Sequence, residues 1–151
     1  MKFIVPALVT LVFAVPAYAQ NSAAVAPVIS DGALYQQFGG HDGLVRITDD
    51  LFVNVMADGR INGYFEEQKI PHIKDMLVEQ FCVITGGGCT YTGKDTQAAH
   101  KDLGVTQEAF FALVEDLQKA MDKNNVPFTA QNQLLAALAP QSRDIVAPPA
   151  G

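Results

Sequence analysis

His100 closes the run Tyr91-Thr-Gly-Lys-Asp-Thr-Gln-Ala-Ala-His100, and Lys-Asp-Leu-Gly-Val-Thr106 leads from it into an apolar helical pattern. An imidazole in such a place can act as a base, steer a nucleophile or give a metal one nitrogen ligand. The chain offers it little help, with three histidines and two cysteines in all. A lone histidine is ordinarily a surface or satisfied core residue. That accounts for His41, at a helix entrance after Gly39-Gly40, and for His72, in the first turn of another helix. No Gly-x-Ser-x-Gly elbow is present, and an acyl-transfer triad would have to borrow its base from the same histidines. The pairs Glu66-Glu67 and Asp49-Asp50 read as solvated surface. Gly86-Gly87-Gly88 lacks the Lys and Ser/Thr that make a glycine run a phosphate loop. His100 stands as a candidate metal ligand in a chain with few other groups able to hold a metal or attack a substrate.

Cys82 and Cys89 flank the three glycines. They can close a small loop worth about 2–3 kcal/mol on the chain-entropy model, remain buried thiols, or form a redox pair. A structural bridge is the favoured reading. C-x6-C with no second pair lacks the usual zinc spacing.

The elements that must position His100 follow from periodicity. Residues 1–19 read as a secretory signal peptide: Met1-Lys2, an apolar run from Phe3 to Val15, and a small-x-small exit at Ala17-Tyr18-Ala19. The run is short and carries Pro6 and Pro16, against the ~20 apolar residues that span a bilayer. The expectation is therefore an exported protein beginning at Gln20, periplasmic in a Gram-negative cell, without stable membrane insertion after cleavage. About 130 residues remain, enough for one domain. A formal charge of -6, a pI near 4.8 and no basic cluster exclude nucleic acid and anionic membrane surfaces as partners.

Residues 20–31 read as a flexible spacer, 32–145 as the folded domain and 146–151 as a disordered tail. Within the domain the apolar spacing is helical throughout, and the expected fold class is all-α. A short helix near Leu34–Phe38 ends at the glycines. Asp42 is placed to cap a second helix reaching Ala57, with Leu44, Ile47, Leu51, Phe52 and Val55 inward. Pro71 to Thr85 forms a third, with Ile73, Leu77, Phe81 and Ile84 as its stripe. Thr106 caps a fourth and Thr129 opens a fifth, and the chain from Pro140 reads as frayed. Between the third and fourth helices lie some 15 mostly irregular residues, a length that usually has a binding role.

The order and spacing of Leu34-Tyr-Gln-Gln-Phe-Gly-Gly40, Asp58-Gly-Arg-Ile-Asn-Gly-Tyr-Phe65, Tyr91-Thr-Gly93, Ala98-Ala-His-Lys-Asp-Leu-Gly-Val-Thr106 and Phe110 to Pro127 resemble the group I truncated haemoglobins. The resemblance implies a two-over-two helical sandwich around haem b, with His100 as the proximal iron ligand. Phe65 would wedge against the porphyrin, Phe81 and Tyr91 would line it, and Lys74 would meet a propionate. Phe52 stands where many members have a tyrosine that hydrogen-bonds bound oxygen, and Ile73 and Leu77 occupy positions often filled by glutamine. The implied distal wall is apolar unless Tyr64 or Gln80 turns inward. Met76 occupies a position from which some members supply a sixth iron ligand, and His72 is a remoter candidate.

The resulting expectation is reversible binding of O2, NO or CO. NO dioxygenase-like chemistry with an unknown reductant is an open extension. The alternative is a haem-free interaction or lipid-binding module of the cell envelope.

Overall fold

The computed structural model describes residues 32–148. The expected signal peptide and spacer, and the last residues of the expected tail, lie outside that range. Seven α-helices occur among the described residues: α1 Ala33–Gln37, α2 Gly40–Ala57, α3 Ile70–Ile84, α4 Thr96–His100, α5 Gln107–Lys123, α6 Phe128–Leu138 and α7 Ser142–Ile145. Short 3-10 turns join them at Asn62–Tyr64, Glu67–Lys69 and Ala139–Gln141.

Four helices, α2, α3, α5 and α6, build the core. α2 packs on both α3 and α5, and α6 returns against α3 and α5. The stripe predicted for α2 is buried in full, from Leu44 through Ile47, Leu51 and Phe52 to Val55. Thr48 lies inside that stripe, and its hydroxyl donates to the Leu44 carbonyl at 2.8 Å, so no donor is stranded. α5 presents Ala109, Ala112 and Ala120 to the interior beside Leu117 and Met121. Small side chains there let the helices approach closely, and each fully buried Leu, Ile or Met adds about 1.5–3 kcal/mol.

Three boundaries differ from the sequence reading. α2 begins at Gly40, because Gly39 adopts φ 80 and turns the chain directly into the helix; Asp42 sits inside the first turn and makes no cap. α6 starts at Phe128 after Pro127, without a side-chain cap from Thr129. The chain from Pro140 to Ile145 is helical rather than frayed. Gln141 is buried, and the Ala147 amide donates to the Val105 carbonyl at 2.9 Å, which fastens this end across the domain. Thr106 caps α5 as expected, its hydroxyl accepting from the Ala109 amide at 3.1 Å.

Candidate functional site

α4 is five residues long and carries His100 at its end, with no buried residue of its own. So short a helix cannot stand alone in water, and polar ties must hold it. Asp95 caps it, accepting from the Ala98 amide at 2.7 Å. Thr96 in its first turn donates to the Oε1 of Gln141 at 3.3 Å.

The His100 ring is part-buried, and its Nδ1 lies 2.8 Å from the Thr96 carbonyl oxygen. A carbonyl can only accept, so Nδ1 carries the proton and Nε2 keeps its lone pair. The geometry thus leaves one nitrogen free for a metal and fixes the ring by the other. Among the described residues there is no group of three or more His, Cys, Asp or Glu side chains able to hold a metal ion. A metal at His100 must therefore bring other donors with it, as the iron of a porphyrin does.

The loop before α4 is fastened to one face of α3. Met76, Glu79 and Cys82 are three residues apart, which puts them on one side of that helix. Cys82 is bonded to Cys89 with the Cα atoms 5.8 Å apart, so the structural bridge is present. Glu79 accepts from the Thr92 amide at 2.8 Å and from its hydroxyl at 2.9 Å. The sulfur of Met76 lies so near Gly93 that a Cβ added there would stand 2.9 Å from it. Met76 thus has a packing role against this loop, and His72 is exposed. Neither position favours the sixth-ligand role considered from sequence.

Tyr91 donates its hydroxyl to the Lys94 carbonyl at 2.8 Å. Burial first, then the nearby carboxylates Glu79 and Asp95, push its phenol pKa up, so the hydroxyl stays a donor.

Phe52 and Phe65 meet edge to face with ring centroids 5.4 Å apart. Phe65, Leu77 and Leu113 pack against the core yet remain part-buried, as does Ile73. These surfaces have apolar area left to cover. Phe81 and Leu51 are already buried by the protein itself. Tyr64, beside Phe65, lies 3.4 Å from the Gly104 carbonyl and from the Thr106 amide, tying the phenylalanine segment to the chain just after His100.

Several expected roles are corrected by these partners. Tyr64 is engaged with residues 104–106, and Gln80 donates to Gln141 at 3.2 Å, so neither is a free distal donor. Lys74 is paired with Asp49 across a cavity of about 210 Å3 between α2 and α3, lined also by Val45, Thr48 and Val78. Its ammonium is thereby taken by α2 rather than left for a propionate. Sequence reasoning missed the roles of Thr96 and Gln141. The i−4 spacing of Thr96 from His100 could have found the first, whereas nothing local points to Gln141.

The chain matches the sequence model described as bacterial-like globin over residues 33–146. It is 29% identical over 119 residues, covering 79% of this chain and 88% of the relative, to the group 1 truncated hemoglobin GlbN of Mycolicibacterium paratuberculosis. In structure it is similar to the truncated hemoglobin of Tetrahymena pyriformis in its Fe(III) form, with a TM-score of 0.72 at 21% identity, covering 76% of this chain and 98% of that one. It is also similar to the 2/2 hemoglobin of Synechococcus sp. PCC 7002 in the cyanomet state with covalently attached heme, with a TM-score of 0.70 at 24% identity, covering 75% and 97%.

Proposed function

Since the chain belongs to the bacterial-like globin family and has the two-over-two truncated fold, we propose that it is a haem protein that binds a diatomic gas, with His100 as the iron ligand. The observation that carries this is the hydrogen bond from His100 Nδ1 to the Thr96 carbonyl, which fixes the ring and leaves the Nε2 lone pair to bind a metal. When bound, haem b supplies an iron with a coordination position for O2, NO or CO.

The chain's own residues set the conditions around that position. Phe65, Leu77 and Leu113 give up exposed apolar area to a flat porphyrin, a gain of about 25 cal/mol per Å2 buried. Phe52, Ile73 and Leu77 exclude water and offer no hydrogen bond to the gas. The pocket therefore favours ligands that need little help from a donor, NO and CO above O2. On this reading the working chain starts at Gln20 and is exported, to the periplasm in a Gram-negative cell; the pattern of residues 1–19 supports the export.

Purified protein reconstituted with hemin tests the proposal. A Soret band that is present in the wild type and lost in His100→Ala is expected. Wild-type protein that takes up no hemin would reject the haem reading and favour the interaction module of the envelope. Amino-terminal sequencing of protein from a periplasmic extract checks the export expectation.

A further inference from the structure

α4 carries the proposed iron ligand and has no fully buried residue, and it packs against the short helix α7. The side-chain hydrogen bonds that tie it to the turn before α7 and onward to α3 run through one residue. Gln141, in the 3-10 turn Ala139–Gln141, is 7% exposed, and its Oε1 lies 3.3 Å from the Thr96 hydroxyl and 3.2 Å from Gln80 Nε2 on α3. Thr96 is also the residue whose carbonyl holds His100 Nδ1. A single amide oxygen thus joins α3, the C-terminal turn and the first residue of the helix that ends in His100.

We propose that Gln141 is the positioning residue of the proximal histidine, fixing through Thr96 the height and rotation of the His100 imidazole. The inference rests on the haem reading and adds the regulation of its iron–nitrogen bond. Its second feature is chemical. Gln141 Nε2 is buried and has no hydrogen-bond partner, so a polar side chain is kept inside at a cost that a leucine of similar size would avoid. The accepting oxygen, not the amide donor, is the part the fold uses. It follows that Gln141→Glu keeps the function, because a carboxyl in either protonation state still offers an accepting oxygen, whereas Gln141→Leu removes it.

Two readouts on the full mature chain decide the matter. In the haem-free protein, amide hydrogen exchange of residues 98–100 should quicken about fivefold in Gln141→Leu and return towards wild type in Gln141→Glu. In the haem-loaded ferrous protein, the iron–histidine stretching band in the resonance Raman spectrum should shift in Gln141→Leu and be restored in Gln141→Glu. Thr96→Val removes the other partner and should reproduce both effects, which covers the case that Gln141→Leu fails to fold. Unchanged exchange and an unchanged band in the folded variants would overturn the assignment. A wild type that binds no haem would sink the haem reading, and the exchange readout would still judge the tie between Gln141 and α4.

Discussion

The Nδ1 of His100 stands 2.8 Å from the carbonyl oxygen of Thr96, one helical turn earlier on α4. This bond chooses the tautomer, and it orients the ring before any ligand arrives. His100→Gly should therefore lose the Soret band, and added imidazole should restore colour without restoring tight binding, because free imidazole lacks the anchored second nitrogen. Hemin titration with and without imidazole checks it. Colour retained in His100→Gly alone would remove His100 from the iron.

Phe52 is buried and set edge-on to Phe65 at 5.4 Å, and on the proposed haem reading its ring, which cannot donate, stands where a distal hydroxyl would. Phe52→Tyr adds one oxygen at the far edge of the ring. Oxygen dissociation should slow about ten- to a hundredfold, as one strong hydrogen bond to a partly charged ligand is worth roughly 1.5–3 kcal/mol. CO dissociation, less sensitive to such a donor, should change far less. Stopped-flow ligand displacement measures both, and equal changes for the two gases would reject the apolar-wall account.

Cys82 is wholly buried next to Phe81, and its bond to Cys89 closes a sequence separation of 7. Cys89→Ser should lower unfolding free energy by about 2–3 kcal/mol on the chain-entropy model. Because the loop it closes leads into α4, haem loss to a competing apoprotein should also quicken. Urea titration and haem-transfer kinetics test the pair.

Asp50 joins α2 to the end of α5, accepting from Lys123 at 2.6 Å and from Asn124 at 2.8 Å. The Lys123 hydrogen bond holds its carboxyl below the ordinary 3.8, against the opposing effect of burial and with help from Asn124 and the Lys123 charge. A depressed folded value means that this stabilisation is complete above 3.8 and is lost as pH falls below it. Asp58, held at about 2 by Arg60, loses its contribution in the same direction and lower still. Asp50→Asn should therefore be less stable than wild type near neutrality and converge on it in acid. Urea midpoints from about pH 6 to pH 2.5 follow the difference, and a constant gap would exclude the ion pair as its source.

Much of the fold was legible from residue spacing. The buried face of α2 could be read from apolar residues three and four apart, since a helix of fixed pitch must put such residues on one side, whereas on α3 the predicted Ile73 and Leu77 stay part-buried and Val78 and Cys82 are buried instead. Thr106 as a cap and the three glycines as a helix end were equally local. The irregular stretch before α5 and its single histidine pointed to the candidate site, because few other residues could bind a metal.

Tertiary structure alone decided which polar groups meet. Gln141 reaches Gln80 and Thr96 across 61 and 45 residues, Tyr64 reaches Gly104 across 40, and Asp50 reaches Lys123 across 73. Such pairs have no period to betray them. Lys74, free on paper for a propionate, finds Asp49 because α2 and α3 lie side by side. The apparent tail beyond Pro140 becomes structure only because Val105 and Thr96 wait for it. Helix pitch is a property of neighbours along the chain, and so the sequence determined it. A hydrogen bond between distant segments depends on how whole helices are placed, and the packed core sets that placement.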